Sequence, residues 1–439
     1  MTTVANNPQL TPSYAGAEAP AAGQATGLLI IGASQSGVQL AGSLRALGFD
    51  EHITLLGDED HRPYQRPALS KEWLQGKIGN ESLIFRSNDY WVDHNVTLVK
   101  NERIEDIRRD SDDPGAGVAY GRSGATYPYR RLALTVGASP RRIDVTGGEL
   151  PGVVYLRNAD DALHLKELVP QAEDVVIVGG GFIGLEAASS LHEMGKNVTV
   201  LDHGSKLIGR AVGDETSDYF LNAHRERGLD IRLEAGIEEI LPDDDGNVKA
   251  VRLDDGEELA AQIVLVGIGV IPNTQLAETL GLEVDNGIVV NEHAIASDGT
   301  TIVAGDVANM PNPVPGSPAA ERIRLESVNN AIEHAKVAAY SLMGRSEEYA
   351  GIPWFWSNQG DIKLQIAGLS HGHDQTVVRH DTEREKFSVL YYRDGQIIAA
   401  DCANAPLDFM AVKQALAKGK NIDADAAADV STMLKTLIA

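Results

Sequence analysis

The chain has 439 residues, 43% of them hydrophobic, which is typical of a globular protein with about three domains. Lysine and arginine total 38 against 63 aspartates and glutamates, so the formal net charge is −25 at pH 7. This charge argues against nucleic acid or an anionic membrane surface as the main partner, and no apolar run is long enough for a transmembrane helix. The single cysteine, Cys402, excludes a disulfide framework and favours a reducing, cytoplasmic location.

Residues 1–26 are rich in Ala, Thr, Pro, Asn and Gly and lack the features of a signal peptide, so they are predicted to be a disordered tail. The following stretch, LLIIGASQSGVQLAGSLRALGF, predicts a strand, a turn and a helix. Its turn has the spacing Gly32-x-Ser34-x-x-Gly37, with serine at the usual position of the middle glycine of a dinucleotide-binding turn. The next strand ends just before Asp58, which is a candidate for the acid that binds a ribose.

The segment 61–71, HRPYQRPALSK, predicts a stiff, basic entry to a helix with Ser70 near its start. Strands of a meander follow, and the apolar strand of RLALTVGASPR, residues 131–141, breaks at Gly137.

The stretch 175–202, VVIVGGGFIGLEAASSLHEMGKNVTVLD, is the clearest motif of the chain. A buried strand is followed by Gly179, Gly181 and Gly184 at the G-x-G-x-x-G spacing, then by a helix that Gly195 is placed to stop, and by a second strand. Asp202 ends that strand, 18 residues after Gly184, where a carboxylate can bind a ribose 2′-OH and would repel a 2′-phosphate. The pattern predicts a dinucleotide site that prefers NADH to NADPH.

The two glycine turns form an internal repeat, 147 residues apart from Gly32 to Gly179. Two such units in one chain suggest FAD and a nicotinamide nucleotide held face to face, because hydride passes between them. The apolar stretch 262–273 breaks at Gly267 and Gly269 and, with 131–141, brackets the second unit.

These patterns predict an α/β fold with two Rossmann-like nucleotide-binding domains and a C-terminal α+β domain. We expect a discontinuous FAD domain at 27–140 and 272–348, an NADH domain at 141–271 and the C-terminal domain at 349–439. The last domain is expected to contain a hairpin around Asp394-Gly395 and two helices, DFMAVKQALAKG and VSTMLKTLIA.

The sequence resembles the bacterial NADH-dependent, FAD-containing ferredoxin reductases, of the putidaredoxin reductase and dioxygenase reductase component type. The resemblance runs from Leu28 to the C-terminus and is carried by ITLLGDE, RPALSKEWL, YLRNADDA, VIVGGGFIGLE, VGIGVIPN, DNGIVVNEHAIASD, AGDVA, RIRLESVNNA and PWFWSNQG. It implies a glutathione-reductase-like fold, FAD and NADH as cofactors, and a [2Fe–2S] ferredoxin as electron acceptor for a cytochrome P450 or a Rieske oxygenase. A monomer is expected, with no metal of its own.

The resemblance also implies roles for individual residues. Implied FAD contacts are Gly32, Ser36, Gly37, Asp58, Lys71, Ile104, Arg157, Asp306 and Val328. Implied NADH contacts are Gly179, Gly181, Gly184, Glu186, Asp202, Gly267 and Gly269. Lys71 matches a lysine near the flavin N5, Asp160 a carboxylate that pairs with it, and Trp356 an aromatic residue near the exposed edge of the flavin.

The sequence departs from the family pattern at four positions, which are Ser34, Ala68, Val136 and Asp160. Asp160 replaces a glutamate and shortens the reach to Lys71 by one methylene, so two separately solvated charges are the alternative to a pair. Trp356 could equally be a core residue of the last domain. Cys402 lies far from the RPALSK region, where a redox-active cysteine would be needed, and is expected to be a buried apolar residue.

Two other functions share these motifs. A rubredoxin reductase would use the same flavin, and the sequence does not separate it from a ferredoxin reductase. A redox-sensing binding protein of the apoptosis-inducing-factor type would hold a long-lived reduced complex with NAD. A membrane quinone reductase is disfavoured because the last predicted helix is short.

Overall fold

Two glycine-interrupted βαβ segments, both predicted above, form the centres of two separate sheets. The computed structural model describes residues 26–314, 321–349 and 351–439. The predicted disordered tail, apart from Thr26, lies outside the described residues.

Strands make up most of the regular structure. In chain order they are β1 (Thr26–Ile31), β2 (Ile53–Leu56), β3 (Val96–Val99), β4 (Ile104–Arg109), β5 (Gly117–Gly121), β6 (Thr126–Leu134), β7 (Ala138–Pro140), β8 (Val153–Tyr155), β9 (Asp174–Val178), β10 (Asn197–Leu201), β11 (Asp230–Arg232), β12 (Ile237–Pro242), β13 (Val248–Leu253), β14 (Glu258–Ala260), β15 (Ile263–Val266), β16 (Val270–Pro272), β17 (Ile288–Val289), β18 (Ile302–Val303), β19 (Ala308–Pro311), β20 (Arg322–Ile323), β21 (Trp354–Gln359), β22 (Ile362–Gly368), β23 (Gln375–Asp381), β24 (Lys386–Arg393) and β25 (Gln396–Ala403). The α-helices are α1 (Gln35–Ala46), α2 (Asn88–Asp93), α3 (Ala159–Leu168), α4 (Phe182–Glu193), α5 (Asp214–Glu226), α6 (Gln275–Thr279), α7 (Val328–Leu342), α8 (Pro406–Ala417) and α9 (Ala424–Ala427).

The chain divides into two compact units. The first contains the chain up to Gln65 together with Asn80–Ser139 and Pro272–Gly351, and the second contains Arg66–Gly79, Pro140–Ile271 and Ile352–Ala439. The chain therefore passes between the units near residues 65, 79, 140, 271 and 351, and the predicted domain boundaries stay predictions. The segment 66–79 belongs to the second unit and is bonded to α4, as described below.

The first unit is built on a seven-stranded sheet. Its order is β3-β2-β1-β6-β5-β4, and β18 pairs with β6 in addition. Strands β1, β2, β3, β6 and β18 run parallel, while β4 and β5 return antiparallel. Alternate residues of β1 enter different cores: Leu28 and Ile30 pack with α1 and α7, and Leu29 and Ile31 pack on the other face.

The second unit contains three sheets. The parallel sheet β11-β10-β9-β15-β8 holds the second glycine turn, and β12-β13-β14 form the predicted antiparallel meander. The C-terminal domain has an antiparallel sheet, β21-β22-β25-β24-β23, covered by α8. The fold class predicted from the sequence is confirmed.

Two local predictions are wrong. The stretch VSTMLKTLIA contains only a 3-10 turn, Leu434–Leu437, because its end is tied as a β-bridge between Ile438 and Ile422. Several of its residues are β-branched, and so short a segment cannot offset the cost of nucleating a helix. After Ser70 the predicted helix is a succession of turns with mixed bonding, such as Lys71 N to Ala68 O and Gln75 N to Lys71 O.

Candidate active site

The first glycine turn, between β1 and α1, leaves no room for side chains at its outer positions. Gly32 has φ +116°, and a Cβ there would lie 2.2 Å from the carbonyl oxygen of Thr135. A Cβ on Gly37 would lie 2.0 Å from the carbonyl oxygen of Gly32. Ser34, the N-cap of α1, has φ −110°, which any residue adopts, so the protein itself accepts the serine.

Strands β1, β6 and β18 are neighbours in the first sheet. Their carboxyl ends bring further predicted FAD residues to the same edge of that sheet. Gly305 follows β18 with φ +86°, and a Cβ there would lie 2.2 Å from Oγ of the buried Ser36. Asp306 comes next, and its main-chain oxygen accepts a hydrogen bond from Arg324 Nη1 at 3.1 Å. Ligands of open α/β sheets bind outside the carboxyl ends of the strands, at the edge where these residues lie.

The remaining predicted FAD residues of the first unit occupy varied environments. Asp58 is exposed just beyond β2, whereas its neighbour Glu59 is half-buried and accepts a hydrogen bond from the Tyr64 hydroxyl at 2.6 Å. Ile104 is buried in the core. Val328 is the first residue of α7, whose N-cap Ser327 accepts a hydrogen bond from Asn330 N. The FAD roles of these residues stay predictions.

In the second glycine turn, between β9 and α4, two glycines likewise have no room for a side chain, whereas the middle one has open space beside it. Gly179 has φ +110°, and its Cβ would lie 2.4 Å from the Gly267 carbonyl oxygen. A Cβ on Gly184 would lie 2.0 Å from the Gly179 carbonyl oxygen. Gly181, by contrast, has φ −83°, and no atom lies within 4 Å of the position of its Cβ. Space is therefore open beside Gly181, where the pattern predicts a pyrophosphate at the start of the helix.

Asp202 closes this turn at the end of β10. Its Oδ2 accepts a hydrogen bond from Gly180 N, and its Oδ1 accepts one from Gly204 N, each at 2.7 Å. These bonds fix a carboxylate next to the glycine turn. Gly269, with φ +98°, lies on the loop that follows Gly267 and accepts a hydrogen bond from Arg141 N.

Lys71 lies in a buried ion pair with Glu186 of α4. Lys71 Nζ donates to Glu186 Oε2 at 2.6 Å, and Ser70 Oγ donates to the same oxygen at 2.7 Å. One turn further along α4, Ser190 Oγ donates to the main-chain oxygen of Ser70 at 2.8 Å. Residues four apart share a helix face, so one face of α4 holds the segment that carries Lys71.

The sequence assigned Glu186 to the NADH site and paired Lys71 with Asp160. The ion pair described above joins Lys71 to Glu186. A carboxylate therefore contacts Lys71 whether or not the shorter side chain of Asp160 reaches it. Asp160 lies in the first turn of α3, beside the capping box of Asn158 and Asp161. Arg157 lies just before this helix, and its main-chain oxygen accepts a hydrogen bond from Arg66 Nη1 at 2.8 Å. The Lys71–Asp160 pair and the FAD contact of Arg157 stay predictions.

Sequence reasoning missed the polar residues that continue from Glu186. Ser357 Oγ donates to Glu186 Oε1 at 2.8 Å, Gln359 Nε2 lies 3.2 Å from Ser357 Oγ, and Gln359 Oε1 lies 2.7 Å from His224 Nε2. The alternation of β21 places Ser357 and Gln359 on one face. Their partners are 171 and 135 residues distant in sequence, beyond the reach of any local pattern.

Trp356 is half-buried on the other face of β21, with its ring centroid 5.4 Å from that of Trp354. Cys402 is fully buried in the C-terminal core, and burial raises the pKa of its thiol. Such a thiol is unsuited to redox exchange, which needs an accessible thiolate.

Within the described ranges, no group of three His, Cys, Asp or Glu side chains could hold a metal ion. A search of the same residues for a helix long and apolar enough to cross a membrane also finds none.

The family is identified by comparison with known proteins. Residues 26–339 match the pyridine nucleotide-disulphide oxidoreductase model, and residues 354–438 match the reductase C-terminal model. The chain belongs to the pyridine nucleotide-disulphide oxidoreductase family. It is thus an oxidoreductase, and the family implies FAD and NAD(H) as cofactors.

Individual relatives cover nearly the whole chain. The ferredoxin reductase subunit of a 5,5'-dehydrodivanillate O-demethylase from Sphingobium sp. is 36% identical over 94% of this chain and 98% of its own. A rubredoxin–NAD(+) reductase from Ectopseudomonas oleovorans is 34% identical over 86% of this chain and 96% of its own. The crystal structure of a covalent putidaredoxin reductase–putidaredoxin complex matches with a TM-score of 0.88 and 34% identity, over 94% of this chain and 98% of that one.

The residues fit the two nucleotides. Each turn has glycines where a Cβ would meet backbone, and the second turn leaves open space at Gly181 beside a fixed carboxylate. Residues around the first turn would hold FAD, and those around the second would hold NAD(H).

Proposed function

We propose that this chain takes hydride from NADH onto FAD and delivers electrons one at a time to a [2Fe–2S] ferredoxin of an oxygenase system, as a cytoplasmic monomer. The observation that carries this proposal is the buried Lys71–Glu186 pair in a chain whose one cysteine is buried elsewhere. A charged pair with no cysteine partner supports electron transfer by the flavin alone. The relatives named as ferredoxin reductases support the acceptor.

Bound FAD would supply the two-electron to one-electron conversion that this function requires. The protein's part is to hold and orient the reactants, which accounts for most of the rate in hydride transfer. The Lys71 ammonium provides a fixed positive charge, and Glu186 and Ser70 hold its position. Asp202 would bind the ribose of NADH and repel the 2′-phosphate of NADPH.

Disulfide reduction, the chemistry in the family's name, does not apply to this chain. It requires a redox-active cysteine pair, and the sequence contains one cysteine. Neither Ser70 nor Lys71, in the RPALSK segment where a redox-active cysteine would be needed, can form a disulfide.

A rubredoxin as acceptor is the second candidate, favoured by the similarity to a rubredoxin–NAD(+) reductase. Both functions require the same reduction by NADH, so the two differ only in the protein that docks. The acceptor must therefore be tested directly.

The test is stopped-flow mixing of the flavin-loaded protein with NADH and with NADPH, following the loss of flavin absorbance. Bacterial [2Fe–2S] ferredoxins and a rubredoxin are then added separately, with cytochrome c as the final acceptor. We expect fast reduction by NADH, much slower reduction by NADPH, and cytochrome c reduction that depends on a ferredoxin.

Two other outcomes would change or contradict the proposal. Transfer to rubredoxin alone would replace the acceptor. A reduced complex with NAD that persists in the presence of every acceptor would support a redox sensor and contradict the proposal.

A further inference from the structure

Glu186 receives hydrogen bonds on both carboxylate oxygens, from two different parts of the chain. Lys71 and Ser70 bond to Oε2, and Ser357 of the C-terminal domain bonds to Oε1. Lys71 and Glu186 are buried, and Ser357 is fully buried, so water has little access to these bonds. The orientation of the Glu186 carboxylate, and through it that of Lys71, therefore depends on Ser357.

The hydrogen bonds that run from His224 to Glu186 allow only one assignment of donors and acceptors. The hydroxyl of Ser357 has one proton, which it donates to the carboxylate of Glu186. Ser357 must then accept from the amide of Gln359, which places the amide oxygen toward His224 Nε2. The opposite amide orientation would require Ser357 to donate twice. His224 consequently donates from Nε2, with its proton on that nitrogen.

Burial makes this arrangement stringent. Ser357, Gln359 and His224 are each 0% exposed, so each hydrogen bond that joins them is costly to lose. Desolvation lowers the pKa of His224, which agrees with a neutral imidazole. Each hydrogen bond from His224 through Gln359 and Ser357 is thus donated in the direction of the negative charge on Glu186.

We propose that Ser357 and Gln359, anchored by His224, are positioning residues for the Lys71–Glu186 pair, so that the C-terminal domain completes the hydride-transfer site. This inference rests on the proposed function. It assigns a contribution to hydride transfer to a domain from which the sequence suggested only Trp356 for the flavin site.

The decisive variant is Ser357→Ala, which removes the donor to Glu186 Oε1 and leaves the Gln359 amide unpaired. The control is Ser388→Ala. Ser388 is also buried in the C-terminal sheet, and its Oγ donates to a carboxylate, Asp408 Oδ2, at 3.1 Å. In stopped-flow reduction by saturating NADH, we expect Ser357→Ala to lower the limiting rate about tenfold, because small misplacements of reacting groups are costly. The Kd for NADH should change less than about twofold, Ser357→Thr should restore most of the rate, and Ser388→Ala should match the wild type.

A second measurement does not depend on turnover. The urea midpoints of the flavin-loaded wild type, Glu186→Gln, Ser357→Ala and the double variant form a cycle that reports coupling between the two side chains. We expect the double variant to lose less than the sum of the single losses. Additive midpoints, or a Ser357→Ala rate equal to that of Ser388→Ala, would overturn the inference. Failure of NADH to reduce the wild type would instead overturn the proposed function, and the urea cycle would still decide whether the network exists.

Discussion

The charge on Lys71 is balanced inside the protein rather than by solvent. A buried ion pair pays a desolvation cost that is recovered only with good geometry and additional hydrogen bonds. Glu186 meets this condition, because Lys71, Ser70 and Ser357 donate to its two oxygens. We infer that the pair is kept for its field at the site rather than for stability.

Replacing Lys71 by methionine tests this charge. We expect Lys71→Met to lower the limiting rate of flavin reduction by NADH about 10- to 100-fold, because a preorganised positive charge is lost from a low-dielectric site. The control is Lys77→Met in the same segment, whose ion pair with Glu193 (3.1 Å) is exposed and contributes little. Stopped-flow absorbance gives both rates, and flavin content shows that each variant is loaded. Equal rates in the two variants would contradict a role for the charge.

Two glycines of the second turn are expected to be required for different reasons, one for folding and the other for binding NAD⁺. Gly184→Ala should lower the free energy of unfolding by about 1–3 kcal/mol, since its Cβ would meet the Gly179 carbonyl oxygen. Gly181→Ala should fold normally, since nothing lies within 4 Å of its Cβ, but should weaken NAD⁺ binding about tenfold by crowding the pyrophosphate. Urea unfolding and NAD⁺ titration measure the two effects. Normal NAD⁺ binding by Gly181→Ala would show that the open space is not the nucleotide's.

At the scale of elements, local patterns were predictable and distant pairings were not. The unit β9–α4–β10 was predicted from its hydrophobic periodicity and its glycines. Helix α4 ends at Glu193, and Gly195, with φ +83°, follows its C-cap as expected. Ser327 and Gly344 likewise mark the ends of α7. The carboxylate that meets Lys71, and the contacts of Ser357 and Gln359 in β21, arise from packing between segments more than 100 residues apart. No local period contains that information. The fold was therefore accessible from sequence, but the internal geometry of the site was not.

Strands β24 and β25 carry a second buried acid, which is linked to the start of α5. The Tyr391 hydroxyl donates to Asp401 Oδ2 at 2.5 Å and accepts from Gly213 N at 3.0 Å. Burial raises the pKa of Asp401 from 3.8 to about 6. Between these values the folded protein holds a proton that the unfolded chain has lost, so this group's contribution to stability falls as the pH rises through that window.

Asp401→Asn removes this titration. Its free energy of unfolding relative to the wild type should increase by about 3 kcal/mol as the pH rises from 4 to 7, measured by urea unfolding at several pH values. Asp361→Asn is the control of opposite sign. The hydrogen bond from Arg227 lowers the pKa of Asp361, so the relative stability of that variant should fall as the pH rises through the acid range. A pH-independent difference for Asp401→Asn would mean that the carboxyl titrates normally.

The net charge of −25 bears on the whole molecule, because an acidic ferredoxin would be repelled by it. A local basic patch would override this repulsion, and the candidates for it in the sequence are Arg62, Arg66, Arg322, Arg324 and Lys363. The structure engages all four arginines internally, with acceptors that include Glu81 for Arg62, the Arg157 main chain for Arg66, the Asn309 main chain for Arg322 and the Asp306 main chain for Arg324. Lys363 alone of the five is exposed. These bonds favour the alternatives to a docking patch, in which the arginines stabilise the fold or bind FAD phosphates. Long-range repulsion is then expected to govern the encounter with ferredoxin.

Repulsion predicts a particular salt dependence. Under subsaturating ferredoxin, the second-order rate of electron transfer should rise severalfold between about 10 and 200 mM salt, because the Debye length falls from about 30 Å to under 10 Å. Reduction of a neutral quinone by the same enzyme is the control and should hardly change. Lys363→Glu should slow transfer to ferredoxin only slightly, since it removes one positive and adds one negative charge, a change of two in a net charge of −25. A rate that falls with salt, together with a strong loss in Lys363→Glu, would show instead that a local positive surface overrides the net charge and steers the ferredoxin.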